Sequence, residues 1–377
     1  MPAHDPWLLT PGPLTTSATV KEAMLHDWGS RDAGFIAINN RMRQRLVALI
    51  GGAKDFTCVP MQGSGTFAVE AMLTGFVGPQ DKLLILINGA YGKRMAKICE
   101  YAKRATAILE WAEDQPVDPA KVRDALAADP AITHVAVVHC ETTSGVLNPI
   151  AEVSQVVAAA GRRLLIDSMS AFGALPVDVN SVTFDALAAS SNKCIEGVPG
   201  LGVVLCRVSA LQQTKGNAAS LSLDLFEQWQ NLEKTSQYRF TPPIHCIVAF
   251  DQALTEHEQE GGVAGRGGRY RSNHKILVDG MRALGFETLL PDRLQAPIIV
   301  TFHMPADAKF VFDKFYDGLR EKGFVIYPGK LTVADSFRVG CIGRLGETEM
   351  KAFLSAVKEV MAGLGVSSGR PGKKAAE

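Results

Sequence analysis

One lysine lies in an unusual setting for its residue type. Lys193 closes the run Ala188-Ala189-Ser190-Ser191-Asn192-Lys193, and a glycine-rich stretch, residues 197–202, follows it. The apolar residues before this run predict a buried strand that ends in a tight turn, where a solvated lysine is not expected. An amine in such a place can form a Schiff base with a carbonyl compound. Lys193 is therefore the first candidate for chemistry, although most lysines are surface groups.

An aspartate follows a second apolar run. Leu164-Leu165-Ile166 ends in Asp167, which places a carboxylate at the carboxyl end of a predicted buried strand. Pyridoxal phosphate needs an amine that binds it and a carboxylate that keeps its pyridine nitrogen protonated, because the protonated ring is its electron sink. Lys193 and Asp167 could supply both groups. Taken alone, an aspartate at a strand end is often only a helix cap.

A glycine-rich turn precedes a helix-forming segment in the first quarter of the chain. Gln62-Gly63-Ser64-Gly65-Thr66 leads into the apolar segment 67–73. Free backbone N–H groups and the positive end of the helix dipole favour an anion at such a place, and glycine permits close approach. Many turns of this kind merely cap a helix. Together with a cofactor-binding lysine, the turn predicts a phosphate cup.

The elements that must position these residues alternate between strands and helices. Runs at 83–87, 135–138, 164–166 and 203–205 have the continuous apolar character of strands buried on both faces. Helix-like segments such as 119–128 and 150–160 lie between them. The alternation predicts an α/β fold with a mainly parallel central sheet between helices. Ligands of such sheets bind beyond the carboxyl ends of the strands, where residues 88–89, 139–141, 167–168 and 190–193 fall.

The chain changes character after residue 255. A polar stretch, 256–268, opens a predicted long helix toward Leu284, and we interpret the basic residues 265–271 as its solvated start. Predicted strands at 297–302, 324–327 and 337–340, with helices near 308–322 and 347–364, indicate a smaller carboxyl-terminal α/β domain. The predicted organisation is an amino-terminal arm (1–15), a large domain (16–255), a small domain (256–365) and a disordered tail (366–377).

Composition narrows the classes of partner. The 377 residues include 47% hydrophobic residues, and 39 Lys and Arg balance 39 Asp and Glu at a sequence pI of about 7.1. A chain with no net charge carries no electrostatic footprint for nucleic acid or for an anionic membrane. Small-molecule partners are therefore favoured, with no nucleic acid and no membrane.

Cysteine usage and the amino terminus bear on location. The seven cysteines are odd in number and scattered, without a Cys-x-x-Cys pair, so neither a disulfide framework nor a zinc site is indicated. They are read as small buried hydrophobic residues in a reducing compartment. The amino terminus lacks a secretory pattern, and no apolar run approaches the roughly 20 residues of a spanning helix. We expect a cytoplasmic protein.

Beyond single residues, a series of motifs occurs in the order found in one enzyme family. They are 9–13 (LTPGP), 63–66 (GSGT), 88–92 (NGAYG), 141–145 (ETTSG), 167–168 (DS), 190–193 (SSNK), 238–243 (YRFTPP) and 338–340 (RVG). With these motifs the chain resembles the class V aminotransferases, which are fold-type I pyridoxal-phosphate transferases. The resemblance extends to about Leu364. It implies a large domain with a mainly parallel sheet, a small carboxyl-terminal α/β domain and pyridoxal 5'-phosphate as the cofactor.

Three segments resemble one subgroup of this class most closely. They are 193–200 (KCIEGVPG), 327–331 (YPGKL) and 337–343 (FRVGCIG). Members of the subgroup transfer the amino group of 2-aminoethylphosphonate to pyruvate and form phosphonoacetaldehyde and L-alanine. The resemblance therefore implies an aminotransferase of phosphonate degradation, with these two small molecules as substrates.

The resemblance also implies roles for residues around the cofactor. Lys193 matches the lysine that binds pyridoxal phosphate, and Asp167 matches the partner of its pyridine nitrogen. Ser64, Gly65 and Thr66 match the phosphate cup, and Asn192 matches a residue that also reaches the phosphate. Tyr91 matches the aromatic residue that stacks on the ring, where some relatives have Trp. Thr142 matches a residue that borders the ring oxygen.

Further matches lie outside this set. Tyr238 and Thr241 match residues that the neighbouring subunit gives to the phosphate, which implies a homodimer. Arg338 matches the arginine that binds a substrate carboxylate, and its planar guanidinium suits a carboxylate or a phosphonate. We expect Arg338 to serve both substrates in turn, with Arg31 and Arg94 as candidates for additional phosphonate contacts.

Other functions remain open at this point. The shared motifs also fit an alanine–glyoxylate or serine–pyruvate aminotransferase of the same class. A cysteine desulfurase is less favoured, because no cysteine lies in an evident mobile loop near the carboxyl end. A non-catalytic pyridoxal-phosphate-binding protein, such as a sensor domain, lacks support because no DNA-binding module or basic patch accompanies the lysine.

Overall fold

The computed structural model describes residues 5–52, 54–331 and 334–372. Its strands are β1 (Trp7–Leu8), β2 (Phe56–Gln62), β3 (Lys82–Ile87), β4 (Ala105–Glu110), β5 (Ile132–Val138), β6 (Cys140–Glu141), β7 (Val146–Leu147), β8 (Arg163–Asp167), β9 (Ala186–Ser190), β10 (Leu201–Arg207), β11 (Ile299–His303), β12 (Phe324–Val325), β13 (Tyr327–Pro328) and β14 (Ser336–Gly340). Its α-helices are α1 (Ala18–Glu22), α2 (Ala33–Ala48), α3 (Gly65–Phe76), α4 (Ala90–Tyr101), α5 (Pro119–Ala128), α6 (Ile150–Ala159), α7 (Val208–Leu211), α8 (Leu225–Thr235), α9 (Ile244–Gln259), α10 (Gly262–Ala283), α11 (Phe312–Glu321) and α12 (Glu347–Gly363).

Seven strands form the central sheet in the order β2-β10-β9-β8-β5-β3-β4. The pairs from β9 to β4 are all parallel, whereas β10 runs antiparallel to both of its neighbours. Residues of β3, β5 and β8 are buried on both faces, which requires cover on both sides of the sheet. The predicted α/β fold with a mainly parallel sheet is confirmed, and β10 is its one reversed strand.

Local signals set several helix bounds. The helix predicted at 119–128 is α5, which begins with Pro119 at its first position, and the Asp118 side chain accepts from the N–H of Ala120 at 2.8 Å. Proline suits this position because its missing N–H would have no intrahelical partner. The long helix predicted to open in 256–268 and to run toward Leu284 is α10, Gly262–Ala283. Helix α9 ends at Gln259 and α10 begins at Gly262, with Gly261 at φ +97° between them.

The basic stretch 265–271 is not the solvated helix start that the sequence predicted. Arg266 has no solvent exposure and Arg269 is largely buried, so this is not a solvated helix start. Arg266 and Arg269 form ion pairs with Glu260 at 2.7 Å, and Arg269 pairs with Glu196 at 2.8 Å. Burial of these cations is tolerated because carboxylates from two other segments neutralise them.

The carboxyl-terminal part has its own sheet and core. Strands β11, β14 and β13 form an antiparallel sheet, and β1 pairs in parallel with β12, which brings the amino-terminal arm to this part of the chain. One cluster of buried hydrophobic side chains extends from Val20 to Leu254. A second combines Leu9 with residues between Leu277 and Val366.

The tail predicted to be disordered, 366–377, is described only as far as residue 372. Within that part Val366 is buried, and the N–H of Gly369 donates to the carbonyl of Leu284 at 2.9 Å. The ordered chain therefore continues past residue 366, because these apolar and backbone contacts hold it. Residues 373–377 lie outside the described residues.

Within residues 5–52, 54–331 and 334–372, the helices and the polar side chains bear on membranes and metals. None of the helices in these ranges is long and apolar enough to cross a bilayer. The same ranges contain no cluster of three or more His, Cys, Asp or Glu side chains placed to hold a metal ion.

Candidate active site

A pocket opens at the carboxyl edge of the central sheet. Val138, Asp167 and Ser190 end the parallel strands β5, β8 and β9, so their carboxyl ends meet at this edge. The amino-terminal parts of α3 and α4 and the segments that follow the strands contribute the rest of the wall. Eight of the predicted site residues line this pocket: Ser64, Gly65, Thr66, Tyr91, Thr142, Asp167, Asn192 and Lys193. Arg338, Tyr238 and Thr241 do not.

Lys193 follows β9 in the turn to the glycine-rich stretch. Its ammonium group donates to the carbonyl of Pro11 and, at 3.4 Å, to that of Gly12. Burial lowers the pKa of Lys193 to about 8, and the nearby cations Arg338 and Lys330 act in the same direction. An amine with such a pKa is partly neutral near physiological pH, which is what a nucleophile or base requires.

The amino-terminal arm approaches Lys193 closely. Gly12 has φ +107°, and a Cβ at this position would lie 2.7 Å from both Cδ and Nζ of Lys193. Glycine is needed here for two reasons, since other residues rarely adopt this φ and none has the space. The Pro11–Gly12 backbone thus contacts the amine of Lys193 where this side chain lines the pocket.

Asp167 is the last residue of β8 and is 4% exposed. Its Oδ1 accepts from the N–H of Met169 at 3.0 Å, which is the one hydrogen bond to this carboxylate from described residues. Burial raises the pKa of Asp167 to about 6, against the weaker influences of that N–H, Arg94 and Lys193. A buried carboxylate with spare acceptor capacity suits a cationic N–H partner such as a pyridinium.

The turn before α3 has the form of an anion cradle. Ser64 is the extended residue before the helix, and its side chain makes no capping bond. The N–H groups at the start of a helix lack intrahelical partners and point outward. A Cβ on Gly65 would lie 2.5 Å from Sδ of Met169, so only glycine leaves the cradle open. The geometry fits a phosphate.

The first turn of α4 places an aromatic ring and a cation at the pocket. The guanidinium of Arg94 lies 4.8 Å from the centre of the Tyr91 ring and donates to Oγ1 of Thr66 at 3.1 Å. Both Tyr91 and Arg94 line the pocket. Stacking of Tyr91 on a cofactor ring stays a prediction. Arg31, the other arginine considered for substrate contact, is exposed and does not line the pocket.

Arg338 lies on β14 and is 1% exposed. Its Nε donates to the carbonyl of Pro328 at 3.1 Å and its Nη1 donates to that of Thr142 at 2.9 Å. The bond to Thr142, a pocket residue, places Arg338 next to the pocket wall. Its guanidinium forms no ion pair with a carboxylate of the described residues, and burial lowers its pKa. A buried cation without a counter-charge is suited to an anionic substrate.

Tyr238 and Thr241 lie away from the pocket of their own chain. The Tyr238 hydroxyl is buried and has no hydrogen-bond partner among the described residues, and burial raises its pKa. Thr241 is exposed, and its carbonyl accepts from the Gln62 side chain. Their contact with a neighbouring subunit's phosphate therefore stays a prediction.

Sequence reasoning missed several residues of the pocket. Its wall also includes Val69, Val138, Met169 and Ser170, which flank the predicted residues, and Cys140 and Ser190, which were predicted only to lie at the sheet edge. Glu141 was predicted to lie at the sheet edge but was given no role, yet it is fully buried and accepts from Oγ1 of Thr143 at 2.5 Å and the N–H of Tyr91 at 3.2 Å. Burial raises its pKa. The signal for a role is its place at the end of β6, which lies just beyond the end of β5.

These groups together match one cofactor. A buried amine, a buried carboxylate and a phosphate cradle converge on one pocket beyond the carboxyl ends of parallel strands. This combination fits pyridoxal 5'-phosphate, whose carbonyl, ring nitrogen and phosphate need these three partners. The fold and the site define a fold-type I pyridoxal-phosphate-dependent transferase.

The comparisons with known proteins agree. The sequence profile of the family described as aminotransferase class-V matches residues 17–325, and this chain belongs to that family. A protein from Burkholderia lata named 2-aminoethylphosphonate–pyruvate transaminase 2 is 50% identical over 364 residues, which are 97% of each chain. A protein from Rhizobium meliloti named 2-aminoethylphosphonate–pyruvate transaminase is 52% identical over 97% of this chain and 96% of its own.

Solved structures share the fold. Ureidoglycine–glyoxylate aminotransferase from Bacillus subtilis superimposes with a TM-score of 0.89 at 20% identity, and pyridoxamine–pyruvate aminotransferase from Mesorhizobium loti with 0.87 at 24%. Each match covers 98% of this chain and 96% of the other. Members of the class V family use pyridoxal 5'-phosphate, so the cofactor expected from Lys193 and Asp167 is confirmed at the level of the family.

Proposed function

We propose that this protein transfers the amino group of 2-aminoethylphosphonate to pyruvate and forms phosphonoacetaldehyde and L-alanine. The observation that carries this proposal is identity of 50–52% over nearly the whole chain to relatives named for that reaction. The site supports it, because the buried amine of Lys193 lines the pocket and the buried guanidinium of Arg338, which has no carboxylate partner among the described residues, is bound to the pocket residue Thr142. Both substrates are anions that an arginine can bind.

Lys193 is the group that handles protons in this scheme. Pyridoxal phosphate, when bound, supplies the electron sink that stabilises the carbanion at the amine-bearing carbon. The Nζ of Lys193 would take the proton from the amine-bearing carbon of the substrate and later release it, so it would act as base and then as acid. A pKa lowered by burial allows it to serve in both forms near neutral pH.

The other pocket residues bind and orient. Asp167 would stabilise a positive charge at the ring nitrogen. This pairing is favourable because the buried carboxylate has no other cationic partner within hydrogen-bond reach in the described chain. Ser64, Gly65 and Thr66 bind the phosphate, assisted by Asn192. Thr142 and Tyr91 border the ring on the sides where they line the pocket.

Arg338 binds the substrate anion. Two carbonyls, of Pro328 and Thr142, fix its guanidinium in one orientation. The same guanidinium binds the phosphonate in one half of the reaction and the carboxylate in the other, because the two substrates enter in turn. Because the two substrates bind to this site one after the other, we expect ping-pong kinetics.

The proposed assembly is a homodimer in which each subunit completes the other's site through Tyr238 and Thr241. Two exposed aromatic side chains support it, Phe67 beside the phosphate cradle and Phe240 beside Thr241. The Gln62 side chain donates to the Thr241 carbonyl, so the two segments share one face. A second copy on this face would cover both rings.

Domain organisation and location are part of the proposal. The two large hydrophobic clusters support a large domain up to about residue 255 and a small domain after it, with the arm joining the second. Seven free thiols, six of them buried, support a reducing, cytoplasmic environment.

The test is a comparison of substrates with the purified holoenzyme. Alanine formed from pyruvate is measured with 2-aminoethylphosphonate as the donor, and glycine formed from glyoxylate is measured with alanine or serine as the donor. We expect kcat/KM to be highest by at least tenfold for the phosphonate, a difference of about 1.4 kcal/mol in transition-state binding. A preference for alanine or serine with glyoxylate would replace the proposal with the alternative aminotransferase. Absence of turnover with every donor, despite bound cofactor, would indicate a binding protein.

A further inference from the structure

A group of buried charged side chains lies behind the turn that carries Lys193. We refer to Glu196, Glu260, Arg266, Arg269 and Tyr270 as the Glu196 cluster. Oε1 of Glu196 accepts from the hydroxyl of Tyr270 at 2.5 Å and from Nη2 of Arg269 at 2.8 Å. Glu196, Arg266 and Tyr270 are each no more than 3% exposed. Nothing in the proposed chemistry uses this cluster directly.

The cluster contacts the backbone next to Lys193. Nη1 of Arg266 donates to the carbonyl of Cys194 at 2.5 Å, and the N–H of Glu196 donates to the carbonyl of Lys193 at 2.7 Å. The residue after Lys193 is therefore bound by a cluster side chain, and Lys193 itself is bound by the backbone of Glu196. Any displacement of Glu196 moves the turn from which Nζ of Lys193 extends.

The backbone at Glu196 is in an unfavourable conformation. Its φ is +65°, and it is one of three non-glycine residues with positive φ in the described chain, with Lys103 and Ser236. A residue with a Cβ is disfavoured there, and glycine would relieve the strain. The other two residues lie away from the pocket lining. Strain that is kept beside a functional lysine indicates that the Glu196 side chain is needed.

The far side of the cluster reaches the chain that leaves β14. Nη1 of Arg269 donates to the carbonyls of Gly343 at 2.5 Å and Leu345 at 2.9 Å, and the Tyr270 hydroxyl accepts from the N–H of Gly343 at 3.3 Å. Burial would raise the pKa of Glu260, but hydrogen bonds and charge from Arg269 and Arg266 outweigh it and lower the pKa to about 2. The cluster is thus a neutral set of two arginines and two glutamates, fixed at both ends.

We infer that Glu196 is a positioning residue for Lys193: its buried carboxylate holds the 193–196 turn in its strained conformation and so sets the place of the amine. The inference rests on the proposed function for its kinetic test and on cofactor binding alone for its spectroscopic test. It concerns a residue that contacts neither cofactor nor substrate and acts through the turn. Loss of the carboxylate is expected to impair the step that Lys193 performs and to leave anion binding by Arg338 intact.

The experiment uses the holoenzyme with Glu196→Gln, a change of similar size that removes the charge. We expect kcat to fall about tenfold to a hundredfold, because small misplacement of a reacting group has effects of this size. We expect KM for pyruvate to stay within about twofold, since the carbonyls that orient Arg338 are outside the cluster. The visible circular dichroism of the bound cofactor, divided by its absorbance, should also change, because it reports the orientation of the group that Lys193 holds.

Asp251→Asn is the matched control. Asp251 is another buried carboxylate that accepts from two arginines, Arg41 and Arg45, between α2 and α9. Its loss should lower the Tm as the loss of Glu196 does, while kcat and the cofactor dichroism stay at wild-type values. Glu196→Gln with a lowered Tm but an unchanged kcat and dichroism would overturn the inference and leave a fold-stabilising role.

A second variant guards against failure of Glu196→Gln to fold. Tyr270→Phe removes one hydrogen bond to Glu196 and keeps the buried ring, so it is the milder change. We expect a kcat reduction of about threefold, with the dichroism altered in the same direction as in Glu196→Gln. Wild-type values of both would contradict the inference. If the wild-type enzyme itself fails to convert 2-aminoethylphosphonate, the proposed function fails, and the dichroism still decides the role of Glu196.

Discussion

Lys193 and Asp167 show how burial adapts ordinary side chains to this chemistry. Burial lowers the pKa of the lysine to about 8 and raises that of the aspartate to about 6, so the values approach each other from both sides. Each shift disfavours the charged form. The pair is therefore unfavourable in the protein alone and becomes favourable when a ligand supplies the missing partners.

The first prediction at this scale concerns the amine. Capture of pyridoxal phosphate by the apoenzyme requires neutral Lys193, so its rate should rise with pH and level off above about 8 rather than near the ordinary lysine value of 10.5. Stopped-flow absorbance measures this rate. Lys193→Arg is the control and should show no capture. A midpoint near 10 would mean that Lys193 is not desolvated.

A second prediction concerns Asp167 and the stability of the apoenzyme. Since its folded pKa is raised above the ordinary value of 3.8, ionised Asp167 destabilises the fold; this cost is absent at low pH, develops as pH rises and is complete above about pH 6. It amounts to roughly 3 kcal/mol for a pKa of about 6. Apo Asp167→Asn should therefore have a higher Tm than wild type at pH 8, with a smaller difference at pH 4.5. A difference that does not depend on pH would contradict this reading, and the holoenzyme should show the reverse order at pH 8.

At the scale of elements, the sheet edge and the arm assemble the pocket from distant parts of the chain. Strands β5, β8 and β9 deliver residues at one edge, and helix α3 begins there with its glycine-rich turn. The arm reaches the same place from the other end of the chain, through the contact of Pro11 with Lys193. Strands and helices thus place the pocket side chains, and the arm contacts the amine of Lys193.

Gly12→Ala tests the arm. The substitution places a Cβ 2.7 Å from Nζ of Lys193 at φ +107°, so we expect both a lower Tm and at least a tenfold loss of kcat/KM. Gly216→Ala is the matched control, because Gly216 also has positive φ, +82°, but open space around it. It should lower the Tm and leave kcat/KM unchanged. Equal kinetics in both variants would remove the arm from the site.

The sequence predicts those site residues that belong to a local pattern, such as an apolar run or a glycine-rich turn. Lys193 and Asp167 were predictable because each follows an apolar run, and the phosphate cradle because glycines precede a helix. Arg266 and Arg269 were misread as solvated, since their partner Glu196 lies about seventy positions away in the chain. The contact of Gly12 with Lys193 was equally beyond reach, because pairing across 181 positions depends on how the sheet is assembled. Periodicity placed most strands of the sheet, but it missed β2 and β4.

At the scale of the whole molecule, the proposed homodimer concerns an exposed face of the chain. Phe67 is 49% exposed and Phe240 is 43% exposed, on segments linked by the Gln62 side chain. A pair of exposed aromatic rings beside a ligand pocket is typical of a covered surface. The proposed dimer would bury this face and bring Tyr238 and Thr241 to the partner's phosphate cradle.

Phe240→Asp is expected to weaken the dimer. Sedimentation of the wild type should give a mass about twice 40.5 kDa, and the variant should shift toward 40.5 kDa at low concentration. Its affinity for pyridoxal phosphate should fall with the dimer, because the proposed phosphate contacts of Tyr238 and Thr241 would be lost. Tyr101→Asp, an exposed aromatic at the end of α4, is the control and should change neither. A wild-type monomer with full cofactor affinity would rule out the shared site.

In the proposed function, Lys193 and the cofactor take the amino group from 2-aminoethylphosphonate. The most direct measurement is the absorbance spectrum of the purified holoenzyme before and after addition of this compound, with no keto acid present. We expect the visible band of the bound cofactor to disappear and a near-ultraviolet band to grow, and pyruvate added afterwards should restore the first spectrum. A spectrum that ignores 2-aminoethylphosphonate and responds to alanine would contradict the claim.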